Sequence, residues 1–185
     1  IASCLVGSEM CIRDRPILTK AIKTKNFLKV SNIQNKSTEL SLLLSVPASF
    51  GLVIASNEII NTLFGYGSFS KENINMTAEA LKYFGFGVPA FALIKVLANF
   101  FFARDNTKTP FQISVFIVLL NISISLTFFK EIGFIIIPIA TSISTWFGVF
   151  IYYVLLKKNK ALMLKLNLFK NILKIIFSSI LMAVT

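Results

Sequence analysis

The chain has 185 residues, of which 55% are hydrophobic and 19 are phenylalanine, and its mean hydropathy is +0.76. A soluble domain of this composition would expose too much apolar surface, so the composition favours a membrane protein over a soluble one. The net charge of +11 would suggest nucleic acid in a soluble chain, but lysine and arginine fall mainly between the apolar runs, which favours orientation in a membrane and no nucleic-acid partner.

The first two segments differ from the rest of the chain. Residues 1–15 lack the basic start and apolar core of a signal peptide, and they resemble a translated sequencing-adapter read-through. We interpret them as a non-native leader, with an authentic irregular end as the alternative. Residues 16–38 are basic and polar, with apolar residues at about helical spacing. They predict an amphipathic helix on an anionic membrane face, or else a solvated linker.

Five apolar runs approach or exceed the roughly 20 residues that a bilayer crossing requires. They predict spans at about 40–55, 80–102, 110–129, 132–156 and 171–185, which we call spans A to E. Span E is too short to cross comfortably, so the chain looks truncated at both ends. The prediction is an all-α, polytopic transmembrane helical bundle of about five spans within a membrane region at 39–185.

Prolines and glycines interrupt two of these spans. Pro47 is expected to kink span A, and the Gly85–Pro89 stretch is expected to break span B. Residues 57–64 are amphipathic and predict a segment at the far membrane interface. Ser70, followed by charged residues and an apolar run, predicts a helix start.

Small or aromatic side chains recur at helical spacing on single faces of the spans. Such small faces are typical of close helix contacts in membranes. They comprise Ser41, Ser45 and Ser49 in span A, and Ala140, Ser144 and Gly148 in span D. Span D also carries Trp146, Tyr152 and Tyr153, which we interpret as aromatic surface, with the two tyrosines near the inner interface.

The basic residues of the connections predict how the chain crosses the membrane. After the leader, the successive connections carry five, one, two, one and five lysines or arginines. Connections rich in lysine and arginine stay in the cytoplasm. Residues 16–38 and the B–C and D–E connections are therefore predicted to be cytoplasmic, and the A–B and C–D connections external.

Two charged features are candidates for contact with substrate or with a gate. Lys95 is the one charge well inside a span, and it is either a structural lysine that reaches water along its stem or a charge facing a cavity. Arg104, Asp105 and Lys108 form a charged turn, which either caps helices and sets orientation or acts as a cytoplasmic gate. No aspartate or glutamate lies deep in a span, which weighs against a cation-binding carboxylate.

The sequence offers no group suited to catalysis or metal binding. There is no histidine, and both cysteines lie in the leader, at Cys4 and Cys11. We find no nucleophile–base pair and no set of metal ligands. We therefore predict that the chain is not an enzyme and has no catalytic residue, no metal and no cofactor.

Several stretches together resemble one family, in order and spacing, from about Pro16 to Lys158. They are Leu63–Phe69, Thr77–Tyr83, Lys95–Leu97 with Phe101–Ala103, and Asp105–Pro110, with Asn121 and Ala140–Ser144 in register. The chain resembles the second half of the MurJ (MviN) lipid II flippases, which are members of the MOP exporter superfamily. The resemblance implies a MOP/MATE-like lobe, in a fold of fourteen helices that form two lobes around a central cavity. Spans A to E would be helices nine to thirteen.

The resemblance also implies a function and partners. It implies alternating access in the bacterial inner membrane, with a polar head group moved across while the lipid tail stays in lipid. The partners would be the lipid-linked peptidoglycan precursor, membrane lipids and the N-terminal lobe of the same protein. Most cationic cavity residues of the family lie in its first, second and eighth helices, which this chain lacks. The alternatives are a flippase for another undecaprenyl-linked oligosaccharide and a pseudo-transporter kept as a membrane scaffold.

Overall fold

The computed structural model describes residues 18–20, 22, 27–65, 70–158 and 166–184, so the predicted leader lies outside the described residues. From Phe27 onward, six α-helices follow one another within these residues, with a short 3-10 helix at Gly133–Ile135 between the fourth and the fifth. They are α1 (Phe27–Ile54), α2 (Ser56–Phe64), α3 (Lys71–Phe102), α4 (Lys108–Ile132), α5 (Ile136–Lys158) and α6 (Leu166–Val184). The described part of the chain is therefore all-helical, as predicted.

Three stretches are long and apolar enough to cross a bilayer. They are Val30–Ile54, Lys71–Phe102 and Lys108–Lys158, and Asn171–Met182 is a shorter apolar helix. The third stretch has 51 residues and contains both α4 and α5. Since one crossing requires roughly 20 residues, this length suffices for two. The predicted class, a polytopic transmembrane helical bundle, is confirmed.

The first helix is longer than predicted span A. It begins at Phe27 instead of near residue 40, because polar side chains in its first turns are buried inside the bundle. Gln34 is fully buried, and the Thr38 hydroxyl donates a hydrogen bond to the Gln34 carbonyl over 2.8 Å. The polar composition of residues 16–38 had suggested a segment on the surface of the membrane or in solvent. Pro47 lies inside α1 without ending it.

The helices pack side by side with α3 in the middle. Helix α3 packs against α1 on one flank and against α5 on the other, and α2 packs against α3. Helix α6 lies against α1, where the Asn171 amide donates to a Glu39 carboxylate oxygen over 2.9 Å. Helix α4 lies against α5. The order across the layer is therefore α6, α1, α3, α5, α4.

Helices α4 and α5 form an antiparallel hairpin. The Asn121 amide donates to the Thr141 hydroxyl over 3.0 Å, and the Tyr152 hydroxyl donates to the Pro110 carbonyl over 3.3 Å. The two pairs run in opposite order along the helices, which fixes their relative direction. Gly133 ends α4 with a φ of +71°, a conformation that strains a residue with a side chain.

On its α1 flank, helix α3 has a carbonyl that Pro89 leaves without its helical partner. Proline has no N–H, so the carbonyl four residues earlier, Gly85, receives no hydrogen bond within the helix. The Ser49 hydroxyl of α1 donates to that carbonyl over 2.7 Å. A Cβ on Gly85 would lie 2.8 Å from Val53 Cγ2, so the close approach of α1 depends on glycine at this position.

On its α5 flank, helix α3 receives two more hydrogen bonds. The Ser142 hydroxyl donates to the Tyr83 carbonyl over 2.7 Å, and the Trp146 indole N–H donates to the Phe86 carbonyl over 3.2 Å. Both pairs advance in the same direction, so α3 and α5 run parallel. A Cβ on Gly87 would lie 2.9 Å from the Ser142 hydroxyl oxygen, so this contact is also close.

The largest apolar cluster joins four helices at the end of the bundle where α3 turns into α4. It contains Leu18, Val30, Leu97, Phe100, Phe101, Ala103, Ile113, Tyr152 and Leu156. A second cluster, of Leu42, Val46 and Ile175, packs α6 against α1. The core of the bundle is therefore concentrated where the charged turn lies.

We expect the hydrogen bond from Ser49 to stabilise the fold because Pro89 leaves the Gly85 carbonyl without a donor in its own helix. Replacing Ser49 with Ala should lower the free energy of unfolding by about 1 kcal/mol, since the Gly85 carbonyl loses its donor. In a Pro89→Ala background the helix can supply its own N–H, and the same change should have a much smaller effect. Thermal unfolding of the detergent-solubilised protein measures both.

Ser123→Ala is the matched control, because the Ser123 hydroxyl donates to the Leu119 carbonyl of its own helix and is exposed. That change should leave unfolding nearly unaltered. An equal loss for Ser49→Ala with and without Pro89 would contradict this account of the α1–α3 contact.

Candidate functional site

Lys95 lies on a partly covered face of α3. It shares this face with Phe84, Val88 and Phe91, which precede it at helical spacing. Phe84 is 40% exposed and Phe91 is 37% exposed, whereas Ala90, on another face, is fully buried. Lys95 itself is partly buried. The candidate lysine is therefore on a face that neither α1 nor α5 covers completely.

The depth of Lys95 limits how its charge can be accommodated. It lies eight residues before Ala103 in the sequence, or about 12 Å along the helix axis. A charge near the centre of a span costs roughly 2.5–3.5 kcal/mol on insertion scales. A long side chain reduces this cost by following an open face toward water. The position of Lys95 on such a face fits that behaviour.

The charged turn begins with a regular helix-ending motif. The Asp105 N–H donates to the Phe102 carbonyl over 3.0 Å, and the Asn106 N–H donates to the Phe101 carbonyl over 3.2 Å. This pair of bonds defines a Schellman motif, which places one residue in the left-handed region. That residue is Asp105, with a φ of 58°. Its backbone conformation thus has a structural cause, independent of its charge.

The start of α4 is capped by the same turn. The Asn106 side-chain oxygen accepts hydrogen bonds from the backbone N–H and the hydroxyl of Thr109, each over 3.2 Å. Asn106 lies one residue before Thr107, the N-cap residue of α4, and its side chain takes the place of the capping bond that Thr107 does not make. Pro110 follows in the first turn, where its missing N–H is not needed. The connection between α3 and α4 is therefore short, and proline lies in the first turn of α4.

Tyr152 of α5 holds the turn against the bundle. Its hydroxyl donates to the Pro110 carbonyl, and its ring centre lies 5.8 Å from that of Phe101 with the planes tilted by 60°. The Ser114 hydroxyl donates to the same carbonyl over 2.9 Å. Tyr152 is only 1% exposed, so our interpretation of it as surface aromatic is wrong. Its hydroxyl has a partner inside the protein, which makes burial favourable.

The three charges of the turn differ in exposure. Asp105 and Lys108 are exposed, whereas Arg104 is partly buried. Burial lowers the pKa of Arg104 below its usual value, because desolvation disfavours the charged form. The guanidinium nevertheless stays charged in proteins. The turn therefore presents both signs of charge on a fixed backbone, at the end of α3 toward which Lys95 lies.

Gly148, the last residue of the predicted small face of α5, lies at a junction of three helices. Ala140 and Ser144 are buried, and so is Gly148. A Cβ on Gly148 would collide with the end of the Ile117 side chain of α4 and would lie 3.1 Å from Ile94 Cδ1 of α3. Gly148 therefore lies where α3, α4 and α5 approach one another most closely in this region.

Sequence reasoning missed an open cleft at the opposite end of the bundle. Residues 57–64 were predicted as an amphipathic interface segment, and α2 covers them. The polar face of α2 meets the first turns of α3 and leaves a cleft of about 330 Å3. Its lining residues are Asn57, Glu58, Asn61, Lys71, Ile74 and Asn75. The amphipathic pattern indicated a polar face but could not indicate what it would face.

Comparison with protein families places the chain among membrane transporters. The family described as "Lipid II flippase MurJ" matches residues 16–185. A protein of Rickettsia prowazekii is 34% identical over 149 residues, which cover 80% of this chain and 29% of that protein. One of Rhizobium tropici is 31% identical over 178 residues, which cover 96% of this chain and 33% of that protein. Both are described as "Probable lipid II flippase MurJ".

A solved structure agrees with the fold. The structure described as "Lipid II flippase MurJ, inward closed conformation" aligns with 97% of this chain and 37% of its own, with a TM-score of 0.76 and 26% identity. The chain spans about a third of the length of the curated relatives it matches.

We expect Gly148→Ala to destabilise the bundle by about 1–3 kcal/mol, because the added methyl group overpacks the junction of three helices. Ile117→Val removes the atom that the new Cβ would meet, so this second change should restore part of the loss. Gly51→Ala is the control, since a Cβ there meets nothing within 4 Å and helix propensity alone favours alanine. Thermal unfolding in detergent compares the variants, and equal stability of Gly148→Ala and Gly51→Ala would contradict the close contact.

The left-handed conformation of Asp105 leads to a second expectation. Asp105→Gly should keep or raise stability, whereas Asp105→Val should lower it by about 1–2 kcal/mol, because a β-branched residue resists positive φ. Asp105→Asn removes the charge and tolerates the conformation, so it should resemble the unchanged protein. If Asp105→Val unfolded at the same temperature as Asp105→Gly, the Schellman motif would not be the constraint on this residue.

Proposed function

The chain belongs to the lipid II flippase MurJ family, as its sequence motifs predicted, and from this premise we propose that it supplies part of a flippase for a lipid-linked peptidoglycan precursor. It is a multi-pass membrane protein of the bacterial inner membrane. The observation that carries the proposal is the family match across residues 16–185. Flipping moves a lipid between leaflets without covalent chemistry, so the proposal assigns transport and no reaction.

We infer that the turn between α3 and α4 faces the cytoplasm. The charge counts support this orientation, and so does the arrangement of the helices. Helices α3 and α5 run parallel and α4 runs antiparallel to α5, so the turn and the end of α5 lie on one side. Lys157 and Lys158, both exposed, end α5 on that side. The cleft between α2 and α3 is then external.

Alternating access requires groups of helices that move as units. Side-chain hydrogen bonds from α1 and α5 hold α3 on both flanks, at Gly85 and at Tyr83 and Phe86. Small residues at these contacts bring the backbones close together. These features support a unit of α1, α3 and α5 that moves as one body relative to the rest of the transporter.

We assign Lys95 the role of a cation on the cavity side of this unit. Its face of α3 is only partly covered, since Phe84 and Phe91 on that face are exposed. The head group of a lipid-linked precursor carries phosphate, which a lysine attracts. The lipid tail needs a different surface. Helix α4 supplies one, since Phe111, Leu119 and Leu126 are largely exposed along its length. The assignment places a polar path beside α3 and lipid beside α4.

The charged turn is assigned to the cytoplasmic gate. Asp105 and Lys108 are exposed on a backbone fixed by the Schellman motif, the Asn106 cap and Tyr152. A rigid turn with both signs of charge can form ion pairs with the other lobe in one state and release them in another. The N-terminal lobe of the family is the proposed partner.

The function and the role of Lys95 are tested together in the full-length protein that carries this segment. In a strain depleted of its lipid II flippase, Lys95→Met should abolish growth because it removes the cation and keeps the length of the side chain. Lys95→Arg should retain growth, since it keeps a charge that can reach phosphate. Lys82→Met is the control, because Lys82 is exposed nearer the other end of α3. Immunoblots of membrane fractions check that all variants insert at equal levels.

Normal growth with Lys95→Met would remove Lys95 from the site and leave the charged turn as the candidate. Failure of the unmodified protein to support growth would contradict the flippase function itself. Rescue of a strain that lacks a flippase for another undecaprenyl-linked oligosaccharide would favour that alternative. Rescue of neither strain would favour a scaffold.

A further inference from the structure

One side of α1 is left largely uncovered by the helices that the structure describes. Ser45 and Ser49 are each 7% exposed and lie on the side of α1 that faces α3, and the second apolar cluster holds α6 against a neighbouring side. Residues two positions apart lie on nearly opposite sides of a helix, so Leu43, Pro47 and Gly51 point away from α3. We call this side the open face of α1, and it comprises Leu40, Leu43, Leu44, Pro47, Gly51 and Ile54.

The open face carries a carbonyl group without a donor at the usual position of its own helix. Pro47 lies inside α1 and has no N–H, so the Leu43 carbonyl receives no hydrogen bond from the residue four positions later. Pro89 has the same effect on the Gly85 carbonyl, where the Ser49 hydroxyl of another helix donates instead. Among the residues that the structure describes, no side chain donates to the Leu43 carbonyl.

The depth of Leu43 makes this carbonyl costly to leave alone. The apolar stretch of α1 that is long enough to cross a bilayer runs from Val30 to Ile54, and Leu43 lies 11 residues before its end, or about 16 Å along the axis. The hydrocarbon core is roughly 30 Å thick, so Leu43 lies near its middle. No water is present at that depth to donate a hydrogen bond. Leu43 is 48% exposed, so a donor from elsewhere can approach it.

A glycine on the open face indicates that another backbone comes close. Gly85, Gly87 and Gly148 lie inside helices, and a Cβ on each would come closer than 3.0 Å to a side chain of a neighbouring helix. At Gly51 a Cβ would meet nothing within 4 Å in the described part of the chain. Glycine and proline both weaken a helix, and Gly51 and Pro47 do so one turn apart on the same side. In membranes, small residues serve to bring a second helix close.

The chemistry of the open face limits what covers it. In a symmetric contact between two copies, the same patch meets itself. The open face has no side-chain donor between Leu40 and Ile54, so a second copy docked through it cannot supply the hydrogen bond. Lipid acyl chains have no donor either. A membrane-spanning helix with a serine, a threonine or another donor on a face of small residues has both the group and the shape, as α1 itself shows at Gly85.

We propose that the open face of α1 is the docking surface for another membrane-spanning helix of the same full-length protein, and that a hydroxyl or amide of that helix donates to the Leu43 carbonyl. The chain spans about a third of the length of its curated relatives, so proteins of this family contain enough further chain to supply the helix. The proposal concerns assembly of the protein and does not depend on the transport activity or on Lys95.

The first test places the photoreactive residue benzoylphenylalanine at Leu44 of the full-length protein in lipid nanodiscs. On irradiation, this label should form an adduct with a membrane-spanning segment of the same polypeptide outside residues 16–185, which mass spectrometry of the digest identifies. Phe50 is the positive control, because it packs against the cluster between α1 and α6, and its label should give an adduct with α6. Phe111 is the lipid-facing control, since it is 70% exposed on α4.

The products of irradiation distinguish the possible occupants. A crosslinked dimer from the Leu44 label would place a second copy on the open face and overturn the proposal. An adduct with lipid or with a different protein would overturn it as well. So would the absence of any peptide adduct at Leu44 while the Phe50 label reacts with α6.

The second test uses thermal unfolding of the full-length protein and needs no label. Gly51→Leu should lower the unfolding temperature by several degrees, because the added side chain blocks the approach of the second helix. Ser123→Leu is the matched control, because Ser123 is a small, exposed residue of α4, and it should leave the unfolding temperature nearly unaltered. An unaltered unfolding temperature for Gly51→Leu would overturn the helix contact.

The hydrogen bond is tested once the adduct has identified the second helix. Replacing its serine, threonine or amide nearest the adduct with alanine should lower the unfolding temperature. In a Pro47→Ala background α1 supplies its own N–H to the Leu43 carbonyl, so the same replacement should have a much smaller effect. An equal loss in both backgrounds would overturn the hydrogen bond to Leu43.

Discussion

The packing of α3 depends on one carbonyl group that its own helix cannot satisfy. Pro89 removes the N–H that would reach Gly85, and in a bilayer no water replaces the missing donor. Ser49 meets this need, but only because Gly85 lets α1 approach closely enough. The proline, the glycine and the serine thus act together to form the contact between α1 and α3. Ser142 and Trp146 of α5 donate to two further carbonyls of α3, those of Tyr83 and Phe86, so the central helix is bound on both sides through its backbone.

This arrangement explains how a helix with a charge can sit at the centre of the layer. Because the two flanks of α3 are occupied by close backbone contacts, Phe84, Val88, Phe91 and Lys95 can lie together on a face that the neighbouring helices cover only in part. The apolar cluster and the Tyr152 contacts then fix the end of α3 nearest to Lys95. Packing and the proposed polar path therefore use different faces of one helix, and a change to one need not disturb the other.

The sequence predicted the class of fold well, because long apolar runs, charged turns and a proline in a first helical turn are local signals. It predicted the start of α1 poorly, since Gln34 and Thr38 look like surface residues until the helices that bury them are known. The donors at Ser142 and Trp146 lie about 60 positions from their acceptors, and no local pattern specifies such a pairing. The open cleft escaped prediction for the same reason. For the contact between α1 and α3, Pro89 was the available signal, since a proline inside a span leaves a carbonyl that needs a hydrogen-bond donor from another helix.

The order of these elements along the chain has a consequence for synthesis at the membrane. Ser49 precedes Gly85 by 36 residues, so its hydroxyl is already made when the segment with Pro89 leaves the ribosome. The carbonyl that has no intrahelical partner can thus meet its donor as soon as α3 enters the bilayer. The donors to the Tyr83 and Phe86 carbonyls lie on α5, which is synthesised later. Until then, each of these carbonyls can accept a hydrogen bond within its own helix. The Gly85 carbonyl, which has no donor in its own helix, therefore receives its hydrogen bond from α1, which is synthesised before α3 and α5.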